Sequence, residues 1–170
     1  FLRRRAIPGV ERVDDSTYSR TVRTGNGEAI VSVGLVDGEH ALELRVNGAD
    51  SMDLFELSCA ARRVFDTSAD PSQIAQAFRS DPILGPLAAA SPGLRIPGAW
   101  DSFECGVRAI LGQQVSVSAA RTLATRLVER MGTAVKSTSP CLTALFPSAQ
   151  SIAEGSLEGL GLMRGRIAAR

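Results

Sequence analysis

Two glutamines, Gln113 and Gln114, stand where one amphipathic segment stops and another begins, with Ser116 two residues further on. An amide side chain offers a donor beside an acceptor, which is what base edges in a nucleic-acid groove present in return. Two such side chains at the tip of a tight helix-to-helix corner suit the reading of a groove. The Ser116 hydroxyl is well placed to cap the free amides of the next helix. Both flanks must support this tip. Before it, Trp100, Phe103, Val107, Ile110 and Leu111 recur at steps of three and four, which predicts a helix carrying that apolar stripe toward a core. After it, Val117, Ala120, Leu123, Ala124, Leu127, Val128 and Met131 repeat the pattern until Gly132 stops it.

Other chemistries are largely excluded. A single histidine, His40, leaves no partner set for Ser-His-Asp or Cys-His nucleophiles. Cys59, Cys105 and Cys141 form no C-x-x-C pair, so neither a zinc cage nor a disulfide framework is indicated, and reduced, mostly buried thiols are expected. The net charge of +1 excludes a field spread over the whole molecule, so any phosphate contact must be local. Arginines cluster at Arg3 to Arg5, at Arg121, Arg126 and Arg130, and at Arg164, Arg166 and Arg170. The middle group reads either as a solvated helix face or as phosphate contacts. With 170 residues, 44% hydrophobic and 22% charged, the chain can bury one good core or two small ones. No apolar run approaches the roughly 20 residues that cross a bilayer, and no secretory signal opens the chain, so a cytoplasmic address without membrane partners is expected. Phe1 in place of methionine, and Arg170 inside a helical pattern, lead us to expect a piece of a longer protein.

The elements follow from a change of period. Residues 1 to 7 read as the end of a helix closed by Pro8-Gly9. From Ser16 to Asn47 the period is two, and turn signals at Gly25-Asn26-Gly27 and Asp37-Gly38 separate runs at about 17–24, 28–36 and 40–46. A three-stranded antiparallel meander is the simplest arrangement, with Leu42, Leu44 and Val46 on one face and Glu43 and Arg45 in water. Leu54, Leu57, Ala61, Val64 and Phe65 supply a helix to cover it, and Asp70-Pro71 starts another. The expected division is an α+β domain at 1–90, a linker at 91–98 and a helical domain at 99–170, which includes a short helix near 147–154 and a last helix toward Arg170. Leu157-Glu158-Gly159-Leu160-Gly161 has the outline of a hairpin whose amides hold a phosphate, or of a plain packing turn.

The order of parts carries a resemblance. Phe1-Leu2 with Arg5-Ala6, Val10-Glu11, Ser16 with Tyr18 and Arg20, Val64-Phe65-Asp66, Pro92 to Gly98, and above all Phe103-Glu104 with Gly106 to Gln113 resemble the bacterial DNA-3-methyladenine glycosylase II family of the helix-hairpin-helix glycosylase superfamily. The resemblance implies a TATA-binding-protein-like antiparallel sheet with covering helices, then the first part of a truncated all-α helix-hairpin-helix glycosylase domain. It implies a monomeric base-excision enzyme, without cofactor or metal, that flips alkylated purines such as 3-methyladenine out of double-stranded DNA and cuts the N-glycosidic bond. It places the catalytic aspartate beyond Arg170, so the chain alone is expected to be inactive. Phe1 resembles the aromatic of the base pocket and Arg5 the arginine beside it, although a bulky residue near a helix end also suits packing. Gln113, Gln114 and Ser116 fall on the DNA-binding loop that enters the minor groove. The best-known pattern has leucine where this chain has Gln114, which can bond to base edges but lacks an apolar wedge's stacking contact. Trp100 reads as a core anchor. The alternatives are a non-catalytic DNA-binding or regulatory module of an alkylation-response protein, and a fold kept for protein or small-ligand interaction.

Overall fold

Alternation of apolar and polar residues builds a sheet, and the later 3.6-residue period lays helices against it. The computed structural model describes residues 1–25, 27–136 and 139–161. Strands β1 (Glu11–Val13), β2 (Thr17–Thr24), β3 (Gly27–Leu35) and β4 (Leu42–Asn47) pair antiparallel in the order β1-β2-β3-β4. The expected meander thus gains a fourth strand, which at three residues is too short to show alternation. Register sets Tyr18 against Val33, Arg20 against Val31 and Val22 against Ala29. These side chains share a face with Leu44 and Val46. On the other face Glu43 and Arg45 pair in the open at 2.7 Å.

Helix α2 (Asp53–Val64) covers the apolar face with Leu57, Ala60, Ala61 and Val64, all buried, whereas Leu54 from the expected stripe is exposed. Helix α3 (Pro71–Phe78) starts as expected, with Asp70 accepting from the Ser72 amide at 2.8 Å and proline in the first turn. Helix α4 (Leu84–Ala90) packs on it, yet neither helix buries a residue, and Ile74, Phe78, Leu84 and Leu87 line an apolar cleft of about 330 Å³. Residues 91–98 hold no regular element but are tied down. Arg95 donates to the Asp66 carbonyl at 2.8 Å, and the Gly98 amide donates to Val64 O at 3.0 Å.

Helices α5 (Ser102–Gly112) and α6 (Val117–Met131) follow, then a small hairpin of β5 (Thr133–Ala134) and β6 (Ala144–Leu145), then α7 (Ala149–Glu154). Leu123, Leu127 and Val128 of α6 join Leu111, Phe146, Ile152, Leu157 and Leu160 in the helical core. Ile7 and Val10, from the amino-terminal end, lie in that same core behind the single-turn helix α1 (Leu2–Arg5). Two expectations are corrected. Cys59, Cys105 and Cys141 are free but exposed, because none falls on a buried face of its segment. The stripe before the corner is also displaced: Phe103 is 37% exposed, and the buried residues of α5 are Glu104 and Leu111. The expected last helix, with Arg164, Arg166 and Arg170, lies outside the described residues, as do Asn26, Ser137 and Thr138.

A Cβ at Gly98 would sit 2.5 Å from the Arg63 carbonyl oxygen, backbone against backbone. Gly98→Ala should therefore cost about 1–3 kcal/mol, read as a lower urea midpoint at unchanged slope.

Candidate active site and DNA-facing corner

Four charges meet between the sheet and α5. Glu104 accepts from Arg20 Nη2 at 2.6 Å through Oε2, and from Arg108 Nε at 2.9 Å and Nη2 at 2.6 Å through Oε1. Glu11 accepts from Tyr18 Oη at 2.7 Å, from the Ile7 amide at 3.0 Å and from Arg108, and its Oε1 lies 4.0 Å from Arg20 Nη1. The two arginines spend their remaining bonds on carbonyls, Arg20 on Thr21 O at 3.1 Å and Arg108 on Arg5 O at 3.0 Å. The side chains of Arg20, Glu11 and Glu104 are each no more than 7% exposed and that of Arg108 is 26% exposed, so three corners of this neutral square are shielded from water and the fourth reaches its edge. Burial opposes charge on Glu104, but the fields of Arg20 and Arg108 outweigh it and hold the carboxyl below the usual glutamate range. Burial opposes the Arg20 charge too, and Glu104 outweighs it, so that guanidinium stays firmly protonated. Burial pushes the Tyr18 hydroxyl far up, with Glu11 adding to the effect.

The square forms the floor of a cavity of about 290 Å³, close to the lower bound of small-molecule sites at about 300 Å³. Its walls include Phe1, Arg5, Trp100 and Cys105. Phe1 is 65% exposed, and the Arg5 guanidinium lies over its ring at 3.9 Å. Trp100 anchors against the sheet core as its place in the sequence suggested, and it also walls the cavity. Its Nε1 is buried without a hydrogen-bond partner. Among the described residues no group of His, Cys, Asp or Glu is placed to hold a metal ion.

The corner stands at the other end of α5. Gln113 caps that helix, Gln114 takes the left-handed conformation at φ +55°, and both are exposed. A non-glycine residue pays roughly 1–2 kcal/mol for that conformation. Ser116 caps α6, its hydroxyl accepting from the Ala119 amide at 3.1 Å. Sequence reasoning therefore names residues that fold into two places, Phe1 with Arg5 at the cavity and Gln113, Gln114 and Ser116 at the corner. It assigns no role to Glu11, Tyr18, Arg20, Glu104 or Arg108. The signal was present: 104, 107, 108 and 111 repeat at helical steps, but two of the four are charged and drop out of an apolar count.

The arginines of α6 are neither free nor merely solvated. Arg121 Nε donates to Ala6 O at 2.6 Å, Arg126 to Leu160 O at 3.3 Å, and Arg130 to Ser156 O at 3.4 Å and to Glu158 O. The last two clasp the 157–161 turn, in which Leu157 and Leu160 are buried and Gly159 and Gly161 take positive φ. That turn packs on α6.

The AlkA N-terminal domain family matches residues 1–101, which take in the whole sheet, α2 to α4 and Trp100. The chain belongs to this family. Among AlkA relatives, the probable bifunctional transcriptional activator/DNA repair enzyme AlkA of Mycobacterium tuberculosis is 42% identical over 149 residues, covering 88% of this chain and 30% of its own. DNA-3-methyladenine glycosylase 2 of Escherichia coli is 38% identical over 132 residues, 78% of this chain and 45% of its own. The chain thus spans less than half the length of these curated relatives. A solved 3-methyladenine DNA-glycosylase from Archaeoglobus fulgidus has the same mixed α+β fold, with a TM-score of 0.81 at 21% identity over 99% of this chain and 58% of that one. No helix among the described residues is long and apolar enough to cross a membrane.

The square gives this AlkA-type unit a two-sided pH dependence. Glu104 holds its proton less tightly folded than unfolded, so its contribution is complete above the ordinary glutamate value of 4.5 and is lost as pH falls through the lower folded value. Tyr18 holds its proton more tightly folded, so its contribution is complete below the ordinary value of 10.0 and shrinks as pH rises beyond it. Urea denaturation across pH should show both declines, with Tyr18→Phe flattening the alkaline one. Glu104→Gln should flatten the acid one and cost about 3–5 kcal/mol at neutral pH, since it leaves a buried guanidinium short of its partner.

Proposed function

We propose that this chain is a portion of a monomeric, cytoplasmic base-excision N-glycosylase that releases alkylated purines such as 3-methyladenine from double-stranded DNA. One observation carries the reading: α5 bears an exposed, strained Gln113-Gln114 corner at one end and walls an aromatic cavity at the other. A corner of that shape can enter the minor groove and occupy the gap left by a swung-out nucleotide, with amide groups reaching base edges where an apolar wedge would stack. Phe1 and Trp100 offer π-faces beside the cavity for an electron-poor, cationic base, with Arg5 at its edge. Ser116 fixes the start of α6 so that the corner keeps its form. The names of the Escherichia coli and Archaeoglobus fulgidus proteins agree with this chemistry.

Alkylation makes the base a good leaving group, and the protein's task is to stabilise the positive charge that develops on the sugar. The carboxylates at this cavity are committed elsewhere, Glu11 and Glu104 in ion pairs and Asp101 in capping the Glu104 amide at 2.7 Å. The reading therefore assigns the catalytic aspartate, and the phosphate-holding helix-hairpin-helix, to residues beyond Arg170.

In the full-length protein, Gln114→Ala keeps the backbone preference of a side-chain-bearing residue and removes the amide. Its affinity for abasic duplex should fall about tenfold, the weight of one good base-edge interaction, while that for intact duplex at matched salt changes little. Equal losses on both duplexes would remove the corner from the mechanism. Tight abasic binding without release of free base from methylated DNA would favour a regulatory module, a role that the name of the Mycobacterium tuberculosis relative includes beside repair.

A further inference from the structure

The segment that carries Phe1 and Arg5 is tied to both helices of the corner. At the carbonyl end of α1, Ala6 N donates to Leu2 O at 2.8 Å, which leaves the Arg5 and Ala6 carbonyls without a partner inside the helix. Two arginines hold its far end. Arg108 of α5 donates through Nη1 to Arg5 O at 3.0 Å, and Arg121 of α6 donates through Nε to Ala6 O at 2.6 Å. Cationic donors on the last carbonyls of a helix satisfy groups that the helix leaves open, and they favour its negative end.

These two arginines come from the two helices that make the corner. Arg108 lies five residues before Gln113 and Arg121 five after Ser116, each about 7.5 Å along its axis from the corner. Nothing in the reaction itself requires that symmetry. We infer that Arg108 and Arg121 are positioning residues, each carrying the setting of one flank of the corner to the carbonyl end of α1, so that Phe1 and Arg5 stand ready to receive the base that the corner displaces. This rests on the glycosylase reading. Arg108 also belongs to the buried square, so Arg121, on an exposed stretch of α6, is the residue to test.

In the full-length protein Arg121→Met should lower kcat for 3-methyladenine release from methylated duplex by about 10- to 100-fold, while Kd for abasic duplex moves less than about twofold, because the wall is misplaced and the corner is not. Arg121→Lys, which restores one donor, should recover most of the loss. Three results overturn the inference: unchanged kcat in Arg121→Met, a matching fall in abasic affinity, or Arg121→Lys no better than Arg121→Met. If Arg121→Met does not fold, Arg121→Gln serves the same comparison. A wild type that releases no base sinks the glycosylase reading and this inference with it, whereas an active wild type beside an equally active Arg121→Met sinks the inference alone.

Discussion

The square of Glu11, Arg20, Glu104 and Arg108 joins three parts of the chain far apart in sequence: the amino-terminal turn, the sheet and the helix that leads to the corner. Withdrawing three charges from water, and a fourth in part, is expensive, at several kcal/mol per buried ion, and only close pairing with full hydrogen bonding offsets it. Here the pairing is close. Oxygens and N–H groups that the ion pairs leave over find the Tyr18 hydroxyl, the Ile7 amide and the carbonyls of Thr21 and Arg5. An apolar contact of equal size could stabilise as well, yet it would let α5 slide or rotate on the sheet. Bonds with fixed partners and directions give the helix one register.

That register matters because α5 is short. About one and a half turns separate Arg108 from Gln113 and two and a half separate Glu104 from it, so a rotation at the buried end would swing the exposed end by a similar angle. The strained backbone of Gln114 fits the same account. A conformation that costs energy persists when the surroundings determine it, and here two capped helices, one started by Asp101 and the other by Ser116, meet across it.

Much of this was legible in the residues. Alternation located β2, β3 and β4 to within about two residues, and Asp70-Pro71 and Ser116 marked the helix starts where the caps are found. The corner was legible because its polar tip interrupts two apolar periods. The square was not, since a buried glutamate and arginine look like surface residues to any count of hydrophobicity, and their partners on β1 and β2 lie more than eighty residues away. Strand β1 and the seat of Ile7 and Val10 in the helical core were hidden for a related reason: three residues show no period, and a short apolar pair does not announce which layer it will join. The cysteines misled in the opposite sense, because their usual preference for burial is a tendency of the type and not of the site.

The hairpin of α3 and α4 contrasts with this well-tied centre. It rests on side-chain caps from Asp70 and Asp81 and on partly covered apolar residues, with no side chain fully removed from water. A segment built so opens for little free energy, while Leu127 and Val128 hold α6 shut until the whole structure unfolds. The molecule is therefore graded in local stability: amide protons of α3 and α4 exchange with solvent by small local openings, and those of α6 wait for global unfolding.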